Sequence, residues 1–218
     1  MAAPDSTPTR REQILAEAAR LFARHGFHGV SIADLGAAVG VSGPALYRHF
    51  PGKEALLAEM LIGISERLLE GGRARVHHDD PRESLIDLVE FHIGFTTREP
   101  ELIVVHDRDL ANLPEEPRRT VRRLQRTYVE LWVDTLRRVH PDVAPADART
   151  AAHGVFGLLN STPYAPAIPQ PARGADARVA VLRRMALACL DAAPTPVADR
   201  PAGGGAAATD RPGPATGR

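Results

Sequence analysis

Apolar residues recur along the chain at spacings of three and four, with glycine or proline where each run stops. The first run, residues 9–25, puts Ile14, Leu15, Ala18, Leu21 and Phe22 on one side and ends at Gly26. Two much shorter runs then meet at a glycine between residues 31 and 50. Ser31 is a good helix cap, and Ile32, Leu35 and Val39 form the stripe behind it. Gly40 suits the stop because positive φ costs it little, Ser42 offers a second cap, and Pro44 falls in the first turn of the next helix. Leu46 and Phe50 face back onto the first stripe, with small Gly36 where the helices come closest. This spacing predicts a helix-turn-helix over 31–50. Phe27 and Val30 close its core, so a three-helix unit is complete by Phe50.

Longer periods follow. Residues 53–76 carry Leu56, Leu57, Met60, Leu61, Ile64 and Leu68; 82–98 carry Leu85, Leu88, Val89, His92 and Phe95; 101–112 carry Leu102, Val105 and Leu110. A strongly amphipathic run at 117–140 has Val121, Leu124, Tyr128, Leu131, Trp132 and Leu136 on one side. Two further helices are expected at 146–160, rich in alanine and glycine, and at 174–192, with Val179, Leu182, Met185, Ala186 and Cys189. No stretch alternates apolar with polar for long, so strands are not expected. The fold class is therefore all-α: a three-helix helix-turn-helix domain over 9–52, then a larger helical domain over 53–192. Residues 1–8 read as a flexible arm, the four prolines between 162 and 172 as a stiff irregular connection, and the Pro-, Gly- and Ala-rich 193–218 as a disordered tail.

Charge changes this picture little. The chain has 27 basic and 27 acidic residues, so affinity for nucleic acid must come from local clusters such as Arg10-Arg11 and Arg48-His49-Lys53. One cysteine excludes an internal disulfide, and neither a signal-peptide core nor a membrane-spanning run is present, which places the chain in the cytoplasm with no membrane partner. His77-His78-Asp79-Asp80 reads as a polar loop rather than a metal set, since adjacent loop residues seldom converge on one ion. Gly40-Val41-Ser42-Gly43-Pro44 looks like a nucleophile elbow, but Pro44 stands where the last glycine is needed and no strand precedes it. No catalytic residue, metal site or cofactor is expected, and the chain is not read as an enzyme.

With Leu46 and Phe50 turned inward, Ala45, Arg48 and His49 point outward and Tyr47 lies at the edge of that face. Such a surface suits the major groove and its phosphates. The runs R-R-E-Q-I-L-A-E-A-A-R-L-F-A-R-H-G-F-H-G-V-S-I, A-A-V-G-V-S and A-L-Y-R-H-F-P-G-K-E-A-L-L, within residues 9–61, closely resemble the DNA-binding domain of the TetR family of bacterial transcriptional regulators. The resemblance implies a repressor that binds a palindromic operator in double-stranded DNA. It also implies a homodimer through the helices at 146–160 and 174–192, released when a small molecule shifts the helix that starts at Lys53. Carried over by position, it assigns phosphate contacts to Ser31, Tyr47, His49 and Lys53, and base contacts to Ser42, Gly43, Pro44, Ala45 and Arg48. Gly43, Pro44 and Ala45 have no side-chain donors, so base reading falls to Ser42, Tyr47, Arg48 and apolar contact with thymine methyls. Lys53→Ala is then expected to weaken all DNA sites alike.

For the effector, the residues expected around a pocket are Phe95, Val105, His106, Arg108, Tyr128, Trp132 and Phe156. Arg118, Arg119, Arg122, Arg123 and Arg126 line another face of their helix, either solvated or facing an anionic ligand tail. Apolar residues beside arginines suit an apolar acid or an acyl-CoA, and D-R-D-L-A-N-L (107–113) resembles regulators of fatty-acid or branched-chain acyl-CoA breakdown. The alternative is a hydrophobic drug-like inducer sensed by an efflux regulator.

Overall fold

Thr9 and Ser31 begin their helices in the same way. Each side chain accepts from the backbone N–H three residues on, and Glu12 and Asp34 reach back to the capping N–H, a reciprocal box at both starts. These helices are α1 (Arg10–His25) and α2 (Ile32–Val39). Gly40 ends α2 in the left-handed conformation, φ 68°, and Ser42 caps the five-residue α3 (Gly43–Tyr47). Gly36 is required by contact rather than by conformation. A β-carbon there would lie 2.6 Å from the carbonyl oxygen of Val41, a backbone atom at the turn that cannot step aside.

The computed structural model describes residues 8–164 and 174–192. The expected arm (apart from Pro8), most of the proline-rich connection and the expected tail lie outside them. Beyond the first three helices come α4 (Lys53–Arg73), α5 (Pro81–Arg98), α6 (Pro100–Asp109), α7 (Glu115–Val139), α8 (Pro145–Asn160) and α9 (Gly174–Asp191), with no strand among the described residues. The run expected at 101–112 tightens into a 3-10 turn at Leu110–Asn112 before Pro114. Helix α7 starts two residues earlier than its apolar period, with Glu115 and Glu116 in a first turn that favours acids.

Two apolar clusters fill the interior. The first joins Ile14, Phe22, Phe27, Leu35, Leu46 and Phe50 of the head to Leu57, Leu61 and Ile64 of α4 and to Leu102, Ile103 and Val105 of α6. The second holds Leu88, Val89, Tyr128, Trp132, Leu136, Val155, Leu159, Ala186 and Leu190, with α7 packed on α4, α5 and α8. Along α9 the inward stripe is Val179, Leu182, Ala186 and Leu190, whereas Val181, Met185 and Cys189 are exposed.

Replacing Gly36 by alanine forces the α2–α3 turn open. We expect Gly36→Ala to cost about 1–3 kcal/mol of stability, against the gain alanine normally brings within a helix. A lowered midpoint in urea at unchanged helicity by circular dichroism checks it.

Candidate DNA interface and effector cavity

Helix α3 buries Leu46, Phe50 three residues beyond it is buried as well, and the other side of the helix faces outward. Tyr47 is 55% exposed, Ser42, Pro44 and Arg48 are exposed, and Gly43, Ala45 and His49 are half-buried. Together they form one surface of which only Ser42, Tyr47, Arg48 and His49 offer polar side-chain atoms. Ser31 is exposed too, but its hydroxyl is already paired with Asp34 in the capping box.

Two cations beside this surface are committed to the fold. The Lys53 ammonium donates to the carbonyl oxygens of Phe27 (2.9 Å) and Val30 (2.7 Å) and lies 4.6 Å above the Phe27 ring. Arg11 pairs with Glu59, donates to the carbonyl oxygen of His49 (2.6 Å), and stacks 4.3 Å from the Phe50 ring. The guanidinium of Arg108, on α6, reaches the end of α1. It donates to the carbonyl oxygens of Phe22 and Ala23 (3.2 Å for the latter), where the helix dipole favours a cation. It also clamps the buried Asp109 carboxylate, at 3.2 and 3.0 Å, while His28 meets Asn112 at 2.9 Å across the same junction.

Behind this junction, α4 to α8 line an open-sided cavity of about 210 Å³. Ile64, Ser65 and Leu68 come from α4, His92 and Phe95 from α5, Ile103 and His106 from α6, Gln125, Tyr128 and Val129 from α7, and His153, Phe156 and Asn160 from α8. His92 is buried against Phe156 and stacked on Tyr128, with ring centroids 5.0 and 5.9 Å away. Its Nε2 lies 3.0 Å from Asn160 Oδ1 and its Nδ1 lies 3.3 Å from the Tyr128 hydroxyl. A neutral ring satisfies both: Nε2–H donates to Asn160, and the Tyr128 O–H donates to Nδ1. Burial supports this form by lowering the His92 pKa to about 4 and by raising that of Tyr128.

The head and the body match two models of one family. Residues 14–60 match that of bacterial regulatory proteins of the tetR family, and residues 78–164 match a tetracycline-repressor-like C-terminal domain. The chain belongs to the TetR family of bacterial transcriptional regulators. Known members similar to it are regulators, not enzymes. An HTH-type transcriptional regulator, CymR of Pseudomonas putida, is 33% identical over 130 residues, which cover 57% of this chain and 64% of that protein. The transcriptional repressor KstR2 of Rhodococcus jostii is 29% identical over 58% of this chain and 63% of its own length. The chain thus spans a little under two thirds of these curated relatives. Among solved structures, a TetR-family regulator from Bordetella parapertussis superposes with TM-score 0.75 at 28% identity, covering 85% of this chain and 96% of that one. PfmR from Thermus thermophilus superposes at 0.70 with 28% identity, covering 82% and 97%.

Within this TetR-family frame several expected site residues are placed differently. Lys53, half-buried, gives two of its three N–H groups to loop carbonyls 23 and 26 residues earlier. Arg108 points at α1 instead of the cavity, and Val105 and Trp132 are fully buried in the two clusters without lining it. Phe95, His106, Tyr128 and Phe156 do line it. Arg118 and Arg119 are ion-paired to Glu115 and Glu116 within α7, while Arg122, Arg123 and Arg126 are exposed. His77 meets Asp87 at 2.9 Å and Asp80 caps α5, and no group of three potential metal ligands occurs among the described residues. Among the polar lining residues, sequence reading missed Ser65, His92, Gln125, His153 and Asn160 as pocket residues. An i, i+3 polar step to an inward Tyr128 was the available signal for Gln125.

Lys53→Ala is expected to cost about 1–3 kcal/mol of stability, the value of hydrogen bonds to a charged donor. Its DNA affinity should match the parent wherever the head is folded, read as a normal salt slope of binding. His92 makes stability depend on pH. Its folded pKa of about 4 lies below the ordinary 6.5, so the unfolded chain takes up the proton first as pH falls. Its contribution is complete above about pH 6.5 and is lost as pH falls toward about 4, on the order of 3 kcal/mol in all. Urea unfolding across that range should show the loss, and His92→Gln should remove that part of the slope.

Proposed function

We propose that the chain is a homodimeric transcriptional repressor of the cytoplasm that binds an inverted-repeat operator and is released by a small hydrophobic effector held in the α4–α8 cavity. The observation that carries this reading is the single apolar cluster running from the recognition helix through α4 to α6, whose Ile103 and neighbouring His106 also face the cavity. An occupant that moves α6 or α4 therefore moves the reading surface with it. A ligand changes DNA affinity only through its different affinity for the two dimer geometries.

DNA contact is assigned to Ser42, Pro44, Ala45, Tyr47 and Arg48, with His49 and Ser31 facing the backbone; Lys53 acts by bracing the head. The self-association surface is the outer side of α8 and α9. Gly154 and Gly157 leave open space there, and Val181 and Met185 are 43% and 51% exposed in the single chain. Small residues on one helix and apolar ones on the next are what a helix-pair interface needs. Kinship with a protein named as a repressor supports repression over activation.

Selection from random duplexes, with sedimentation of the protein alone, tests the reading. A dimer that recovers an inverted repeat is expected, and Arg48→Ala should relax preference at one base pair per half-site by about 1–3 kcal/mol. A monomer, or recovery of no repeat, would sink it.

A further inference from the structure

The cavity lining contains no lysine, arginine, aspartate or glutamate among its thirteen residues. Four arginines on the same helices are occupied elsewhere: Arg108 by the end of α1 and Asp109, Arg149 by Glu130 at 2.7 Å, and Arg118 and Arg119 by Glu115 and Glu116; Arg122, Arg123 and Arg126 of α7 are exposed and line no part of the cavity. His92 has both nitrogens engaged, and Ser65 donates to the carbonyl oxygen of Leu61 at 2.7 Å. His106, half-buried, meets the Gln125 amide with its Nε2 and keeps its Nδ1 3.3 Å from the Asp107 carboxylate, a charge that repels an anion, and His153 is exposed. An ionised carboxylate placed inside would lose its hydration with no cation in return.

What the cavity does offer is narrow. Phe95, Tyr128 and Phe156 give flat apolar walls, with the Tyr128 and Phe156 rings 5.6 Å apart. Asn160 uses its carbonyl oxygen on His92 and makes no other side-chain hydrogen bond among the described residues, so its amide N–H groups are left for an occupant. An apolar cavity of about 150 Å³ takes benzene, so the part of an occupant seated within this open-sided cavity of about 210 Å³ is one substituted ring or two fused ones. The nucleotide of an acyl-CoA would have to lie outside it.

We propose that the effector is an uncharged molecule of one or two rings bearing a hydrogen-bond acceptor such as a ketone, which the Asn160 amide receives, and that free carboxylates and acyl-CoAs are poor occupants. This rests on reading the cavity as the effector site. Trp132 reports on it directly, being the one tryptophan in the chain and lying 4.9 Å from the Phe156 ring.

Three probes share one skeleton: α-tetralone (ketone), tetralin (no acceptor) and tetralin-1-carboxylate (anion). Titrated into the full chain at pH 7.5 and followed by Trp132 fluorescence and thermal shift, the ketone should bind about tenfold or more tighter than the anion, a gap of about 1.4 kcal/mol. It should also bind several-fold tighter than tetralin, and Asn160→Leu should erase that second difference. An anion that binds as well as the ketone, or failure of all three to bind the parent protein, overturns the proposal. The same preparation is assayed for the selected inverted repeat. Retained DNA binding confines the failure to the effector chemistry, whereas its loss would fall on the regulatory reading itself.

Discussion

Leu68, in the last third of α4, touches both apolar clusters at once. That contact states the constraint on which the molecule depends: one 21-residue helix supplies core residues to the head with its first half and to the body with its second. Burial of Leu56, Leu57, Leu61 and Ile64 fixes the head to α4, and burial of Leu69 begins the other core one turn beyond Ser65. Hydrophobic burial has no direction of its own. Direction comes from the polar links laid over it: Lys53 on the loop carbonyls, Arg11 on Glu59, and Arg108 on the end of α1.

These links also explain the charge balance. A protein that binds DNA ordinarily shows a basic surface, yet this one has equal numbers of acids and bases. Several of the basic groups nearest the reading surface serve internal carbonyls or carboxylates, so the sequence total overstates what DNA could meet. What remains is sparse: one tyrosine on a helix otherwise made of glycine, proline, alanine and leucine, with a serine before it and an exposed arginine and half-buried histidine after it. Sparse polar reading leaves more of the work to shape and to apolar contact with thymine.

The three-helix head was legible in the sequence, because each device in it is local. Ser31, Gly36, Gly40 and Ser42 act within six residues of their partners. The fates of Lys53 and Arg108 were not legible, since their carbonyl partners lie 23 to 86 residues away and a carbonyl carries no side-chain signature. Periodicity likewise showed that Val105 and Trp132 face inward, but inward is not the same as beside a void. Which buried residues border the cavity depends on how five helices splay, and that is set by contacts among all of them. The alanine- and glycine-rich outer side of α8 was legible as a place of close approach, yet the exposure of Met185 and Cys189 was not, because α9 has apolar residues on more than one side.

Arg11 has one further consequence. By holding the carbonyl of His49, two residues past the recognition helix, to α1 while gripping α4 through Glu59, it ties the end of that five-residue helix to two longer ones. Such a segment cannot adjust its fit to a poor sequence by reshaping itself, as a longer or looser one could. In the proposed complex it would act as a fixed stylus, and tolerance for imperfect targets would then come from the bending of the duplex.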